Sequence, residues 1–201
     1  MIGWLYDFLA ERSERAGTAE RRRRLLASLE GEVIEIGAGT GRSLPHYERA
    51  RRVVAIEPDA SMAKRIEQRL AEVRVPVEVV PASAESLPFP DESFDAAVVA
   101  FVLCTIRDPV RALAEIHRVL RPAGRLAILE HVRGTGRVGS WQDRLTPLHR
   151  RVFGGCHLNR DTRAAVARAG FDVAAVERVD LFEPIPLYRP GIMGVATRTS
   201  S

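Results

Sequence analysis

Three glycines at alternate positions, Gly37, Gly39 and Gly41, follow directly on the apolar run Val33-Ile34-Glu35-Ile36. A strand that ends this way must turn sharply into the next element. Glycine permits the turn and lets a ligand lie against the backbone, where a Cβ would stand in the way. Three of them within five positions exceed what a turn alone requires. A dinucleotide fingerprint would need its third glycine at position 42, which is Arg42, so that chemistry does not fit. Glu57 closes the next apolar run, Val53-Val54-Ala55-Ile56. A carboxylate at a strand end can accept two charge-assisted hydrogen bonds from the 2′ and 3′ hydroxyls of a ribose; the plainer alternative is an exposed acid with no ligand. His131 follows the run at 126–130. Its ordinary pKa near 6.5 suits a general base, and a structural hydrogen bond at the strand end is an equal alternative. Cys104 reads as a small buried apolar side chain rather than a nucleophile. No Cys/His spacing suggests zinc, and no metal is expected.

The elements that must position these residues show in the hydrophobic pattern. Short apolar runs at 32–36, 53–56, 77–81, 96–101 and 126–130 alternate with helical stretches at 43–48, 62–73 and 110–119. Such alternation is the mark of a parallel sheet with helices on both faces, and right-handed crossovers restrict the strand order to a few doubly wound arrangements. After His131 the alternation slackens into a helix at 140–153, the turn Gly154-Gly155-Cys156-His157, a helix at 161–169 stopped by Gly170, and strands at 171–179 and near 191–198. Ahead of the sheet, Trp4, Leu5, Phe8 and Leu9 recur at helical spacing. A second helix spans 18–29, with Arg21 to Arg24 read as its solvated face. One domain covers 1–201: a helical flap at 1–31, a ligand-binding core at 32–131, and an insertion with the last two strands at 132–201.

Composition bounds the function. A chain of 201 residues with net charge +4 and 46% hydrophobic residues has enough core to stand without disulfides. No leader and no run of 18 apolar residues is present in it, and a cytoplasmic location is expected. Lys64 is the single lysine among 30 basic residues. Codon bias accounts for that more simply than nucleic-acid binding, which would call for a basic stripe interleaved with aromatics. The basic surplus sits after His131, with 11 basic and 6 acidic residues over 131–201.

The glycine pattern on an acid-bearing strand resembles motif I of class I S-adenosylmethionine-dependent methyltransferases. Asp59-Ala60-Ser61-Met62, the stretch Ala84-Glu85-Ser86-Leu87-Pro88-Phe89, the run at 94–101 and the helix, turn and strand from Ala114 to Arg125 continue the resemblance in order over about 32–131. Ser83, where the family often has Asp or Gly, and Ala123, in a turn usually L-x-P-G-G, depart from it. The resemblance implies an α/β, Rossmann-like fold with a seven-stranded, mostly parallel sheet. It implies S-adenosyl-L-methionine as cofactor and S-adenosyl-L-homocysteine as product. Glu35, Gly37, Gly39, Gly41, Glu57, Pro58, Met62, Ala84, Glu85 and Phe101 would surround the cofactor, with Met62 on the adenine and Glu85 near the purine edge. Segments 102–106, 129–132 and 155–160, with Trp141, are similar to methyltransferase-like proteins that methylate alkyl thiols, whose bacterial relatives are named as phospholipid or ubiquinone/menaquinone methyltransferases. A small-molecule acceptor is therefore expected outside the carboxyl ends of the fourth and fifth strands, beside His131 as candidate base. A thiol or lipophilic metabolite ranks first, ahead of a phospholipid headgroup amine or a quinone. A non-catalytic binding module is the alternative outside enzymes. No nucleic-acid partner is expected, and any membrane contact would be peripheral, through Trp4, Leu5, Phe8 and Leu9.

Overall fold

The computed structural model describes residues 14–181 and 185–199. Strands β1 (Glu30–Ile36), β2 (Arg49–Ile56), β3 (Val77–Val80), β4 (Phe94–Ala100) and β5 (Leu120–His131) pair in parallel in the order β3-β2-β1-β4-β5. Strand β8 (Pro190–Arg198) lies antiparallel beside β5 and carries both β6 (Phe171–Asp172) and β7 (Val176–Asp180) along its other edge. The helices are α1 (Ala19–Leu26), α2 (Ala60–Arg69), α3 (Pro109–Val119), α4 (Gly136–Val152) and α5 (Thr162–Arg168). The fold is the expected α/β arrangement.

Because side chains alternate along a strand, each central strand feeds two cores. Ile34, Ile36, Val54, Ile56, Ala97, Val99, Leu126 and Ile128 pack on one face with Leu113 and Ile116 of α3 and Val166 of α5. Val33, Val53, Ala55, Ala96, Val98, Ala127 and Leu129 pack on the other with Leu25 and Leu26 of α1 and Ile66 of α2. Strands covered on both faces read as continuous apolar runs, which is why the sequence shows them clearly. Three of the helices start on aspartates that satisfy otherwise orphaned amides. Asp59 accepts from Ser61 and Met62, Asp108 from Arg111, and Asp161 from Ala164.

Several expectations change. The stretch 43–48 holds only the 3-10 turn Leu44–His46, since Pro45 contributes no N–H and β2 begins already at Arg49. That first half of β2 escaped the hydrophobic pattern because it is built on charge. Arg49 pairs with Glu30 at 2.9 Å and Arg51 with Glu32 at 2.9 Å across to β1. The expected strand at 171–179 is two strands, which raises the count to eight. Asp172 accepts a hydrogen bond from the Ala174 amide at 2.9 Å, and Val176 N–H bonds Val173 O at 3.0 Å, closing a turn between them. The helix expected at 62–73 runs Ala60–Arg69 and tightens into a 3-10 turn, Leu70–Glu72. The expected solvated row Arg21 to Arg24 is broken by Arg22, which is 6% exposed. Trp4, Leu5, Phe8 and Leu9, and the peripheral contact assigned to them, lie outside the described residues.

Leu113 is 1% exposed in the centre of α3, whereas Val110, one turn earlier on the same helix, is 73% exposed. Leu113→Ala should lower the free energy of urea unfolding by about 2–5 kcal/mol. Val110→Ala should stay within about 0.5 kcal/mol of the parent protein.

Candidate functional site

The chain leaves β1 through Gly37 and Gly39 at φ +64° and +57°, values that cost any residue with a Cβ. The two differ in what surrounds them. A Cβ on Gly37 would stand 2.2 Å from Val102 Cγ2, so this glycine lets the loop after β4 pack closely. A Cβ on Gly39 would meet nothing nearer than Gly37 O at 4.0 Å. Gly39 opens on a cavity of about 290 Å³. Gly41 faces the other way, against Leu44 and Ile66.

Glu57 ties this turn to the next. One carboxylate oxygen accepts Gly39 N–H at 2.8 Å and the other accepts Asp59 N–H at 2.9 Å. The group is 7% exposed, and each oxygen keeps a further lone pair for a hydroxyl. Asp59 then caps α2, which sets Met62 on the cavity wall. Of the residues expected around the cofactor, Glu35, Gly37, Gly39, Met62 and Phe101 border the cavity. Glu57 stands directly behind Gly39. Gly41, Pro58, Ala84 and Glu85 are not on that wall. Glu85 hydrogen-bonds the Ser83 hydroxyl and receives Asp108 N–H at 3.4 Å, which directs it to the start of α3.

A buried polar chain runs beneath the cavity. Glu35, 2% exposed, accepts the Tyr47 hydroxyl at 2.9 Å. Burial holds the Glu35 carboxyl above the usual carboxylate range, opposed by Ser43, by the charge of Arg22 and by Tyr47. Arg22 donates to Ser43 Oγ at 2.9 Å and to Glu14 at 2.8 Å, and its guanidinium lies 5.9 Å from the Phe101 ring centre. Phe101 itself is a non-glycine residue at φ +58°, held by Phe101 N–H to Leu129 O at 2.9 Å. Such a backbone is strained and persists only where neighbours fix it. Here it puts the ring on the cavity wall.

The opposite part of the wall carries sulfur, imidazole and aromatic groups: Cys104, His131, His149, Phe153, Cys156 and Tyr188. His131 is 6% exposed, with Nε2 3.3 Å from Cys156 Sγ. The thiols of Cys104 and Cys156 lie within 4.8 Å of each other. That contact and burial hold Cys104 protonated, its pKa well above that of a free thiol, while hydrogen bonds from Cys104 and His131 draw Cys156 down. Behind them the fully buried Glu130 accepts Val102 N–H at 2.7 Å and Leu103 N–H at 2.9 Å, and burial pushes its carboxyl up to about 7. His149 also belongs to this wall. It bonds Cys156 O at 3.0 Å and the Tyr188 hydroxyl and stacks on Phe153. Arg22, His149, Cys156 and Tyr188 were not among the expected site residues. Arg22 was hidden in a run of four arginines, and the other three lie where the chain loses its periodicity.

A glycine-floored end next to a strand-end carboxylate fits a ligand with a ribose diol: Gly39 offers open backbone and Glu57 the acceptors, while Glu35 and Glu14 share the wall with Arg22 and Arg42. Comparison with known proteins agrees. A methyltransferase domain family matches residues 34–128. The human thiol S-methyltransferase TMT1A is 31% identical over 193 residues, covering 90% of this chain and 79% of that protein. A phosphatidylethanolamine N-methyltransferase of Cereibacter sphaeroides is 37% identical over 103 residues, covering 50% of this chain and 51% of that protein. Among solved structures, an S-adenosylmethionine-dependent methyltransferase from Mesorhizobium loti superposes with a TM-score of 0.66 at 20% identity, covering 91% of this chain and 98% of that one. A geranyl diphosphate methyltransferase in complex with S-adenosylmethionine superposes at 0.69 and 17% identity, covering 92% and 85%. At these identities the structures speak for the fold alone.

Glu57→Ala should weaken binding of S-adenosylmethionine by about 1–3 kcal/mol, a factor of about 5 to 150 in Kd, read by calorimetry. Unchanged affinity would mean that another group holds the ribose. A second expectation concerns pH. Glu35 has a folded-state pKa above its unfolded value, so its contribution to stability is full below the ordinary carboxylate pKa and is lost as pH rises through the elevated one. Urea unfolding of the parent protein relative to Glu35→Gln should therefore shift against the parent between pH 4 and pH 8. A parent that gains on the variant over that range would contradict the assignment.

Proposed function

The chain belongs to the S-adenosylmethionine-dependent methyltransferases, and we propose that the acceptor of its methyl group is a small thiol. One observation carries this reading. Among the described residues, the cavity wall beyond Phe101, formed by Cys104, Thr105, His131, His149, Phe153, Cys156, Leu181, Ile185 and Tyr188, has no carboxylate on it. An amine headgroup is a cation at neutral pH and would call for one. A thiol needs none, since it is already a few per cent thiolate at pH 7 and intrinsically nucleophilic. The relatives support the same choice. The match to the human thiol S-methyltransferase spans 90% of the chain, whereas the match to the phosphatidylethanolamine N-methyltransferase spans half.

The cofactor, when bound, supplies a methyl carbon already activated by its sulfonium charge. Transfer would replace the cofactor's carbon–sulfur bond by one to the acceptor, its electron pair remaining on S-adenosylhomocysteine. The protein's own task is alignment, worth about 7–11 kcal/mol of barrier when the reacting atoms are held in line. Gly37 and Gly39 keep backbone rather than side chains at the floor. The strained Phe101 and the Arg22 guanidinium above it fix the middle of the cavity. His149, stacked on Phe153 and bonded to Tyr188, closes the acceptor end.

A methyl-transfer screen of purified protein against alkyl and aryl thiols, primary amines, phenols and phosphatidylethanolamine vesicles, read by mass, tests this. Thiols should gain 14 mass units per methyl group with kcat/KM at least about tenfold above any other class, a barrier difference of about 1.4 kcal/mol. Preferential methylation of an amine, a phenol or a lipid would overturn the thiol assignment and leave the family assignment standing.

A further inference from the structure

Cys104, His131 and Cys156 come from three separate places: the loop after β4, the last residue of β5 and the segment after α4. Their donor atoms nevertheless all lie within 4.8 Å of one another. Main-chain hydrogen bonds hold these segments together, His157 N–H to Cys104 O at 2.8 Å and Arg133 N–H to Arg160 O at 3.0 Å. The three side chains are 3%, 6% and 8% exposed, yet each borders the cavity.

A zinc ion bonded at about 2.3 Å to sulfur and about 2.0–2.1 Å to nitrogen sets its tetrahedral ligand atoms roughly 3.5–3.8 Å apart. The 3.3 Å between Cys156 Sγ and His131 Nε2, with all three atoms inside 4.8 Å, needs only small rotamer adjustments to reach that geometry. Charge balances as well, because two thiolates, a neutral imidazole and a divalent cation sum to zero, which a buried site tolerates. Thiolate ligands select thiophilic ions such as zinc and disfavour magnesium and calcium, which take oxygen.

We propose that Cys104, His131 and Cys156 hold a thiophilic divalent cation, zinc by its chemistry, with the fourth coordination position open to the cavity. Binding takes both cysteines as thiolates, and any proton they carry leaves to solvent. The fourth position takes the sulfur of the acceptor as a thiolate, whose proton also leaves to solvent, so the nucleophile is generated at the end of the cavity away from Gly39. This last assignment rests on the thiol-acceptor reading; the three protein ligands do not. A His131 committed to the metal is not free to act as general base, and metal coordination makes one unnecessary.

The full-length protein, reduced with a phosphine and stripped by chelator, is titrated with Zn²⁺ against a chromophoric chelator and, separately, with Co²⁺. The expected result is one equivalent of zinc and, with cobalt, a tetrahedral visible spectrum with a thiolate-to-cobalt band. Cys104→Ser and Cys156→Ser should each weaken zinc retention at least about 100-fold while S-adenosylmethionine binding stays within twofold of the parent. Zinc retention undiminished in the double variant would overturn the site. Should the variants fail to fold, the parent protein decides alone, and absence of a thiolate-to-cobalt band overturns it. The acceptor position is read separately, by adding a thiol substrate to the cobalt form. A shifted band supports the fourth ligand. An unchanged band, with thiol methylation intact, overturns the fourth-ligand assignment and leaves the three-ligand site.

Discussion

The Glu57 carboxylate receives one amide from the turn after β1 and one from the turn after β2, and the geometry of the cofactor end follows from that double contact. Parallel strands end on the same edge of a sheet, so their turns crowd together there. Without a shared acceptor, Gly39 N–H and Asp59 N–H would face one another unpaired at a nearly buried point. With it, the two turns become one unit. Asp59 is left in place to cap α2, Met62 is delivered to the cavity, and Gly39 is fixed where a side chain would intrude. The pairing also lets Glu57 be nearly buried and still keep acceptor capacity: its two oxygens use part of it on the backbone and hold the rest.

The second half of the cavity is assembled by different means. Besides the turn through Gly154 and Gly155, both at positive φ, one buried amide does much of the work. Gln142 in α4, fully buried, accepts Gly134 N–H at 2.7 Å and donates to Val132 O at 3.1 Å and Leu187 O at 2.8 Å. It thereby stitches the helix to the end of β5 and to the turn that carries Tyr188. The Arg160 guanidinium reaches the Leu103 carbonyl, and burial lowers its pKa. The wall at this end of the cavity is therefore hung on β5 by polar contacts between segments distant in sequence. Such a wall can change its composition without disturbing the sheet, because the apolar clusters on the two sheet faces do not include α4.

This division sets what could be read before folding. The central strands were legible because burial on both faces leaves uninterrupted apolar runs, and the cofactor turn was legible because three positive-φ positions demand three glycines. The start of β2 was not, since Arg49 and Arg51 make an edge of ion pairs that looks like a loop in hydropathy. Nor was the single turn at Leu44–His46, where Pro45 cuts short a helical pattern. Arg22 sits in a run of four identical residues, and only the packing of α1 on the sheet decides which of them turns inward. Cys104, His131 and Cys156 are 27 and 25 residues apart along the chain. No local spacing rule can register a cluster whose members meet through sheet pairing and a main-chain bond between His157 and Cys104. Glu85 shows the reverse: the motif suggests a ligand contact, and the structure shows its side chain bonded to the amide of Asp108 and the hydroxyl of Ser83, off the cavity wall.

The two ends of the cavity also differ in chemistry. Carboxylates lie at the cofactor end, Glu14 paired to Arg22 and Glu35 bonded to Tyr47, while the far end is sulfur and imidazole. A sulfonium prefers the first environment. For the proposed acceptor, a thiolate is the partner that makes the second environment productive. Transfer of a methyl group from a cation to an anion cancels both charges, so the transition state is less polar than the separated reactants. Water stabilises the separated ions more than it stabilises the partly neutralised pair, and a low-dielectric enclosure reverses that bias provided each ion can be brought in. Bringing them in is the costly step, because a lone buried charge is penalised heavily. Carboxylates at one end and thiophilic chemistry at the other would meet that cost separately for each reactant. The segregation of acid and sulfur within one cavity is thus the feature of this fold most specific to the reaction assigned to it.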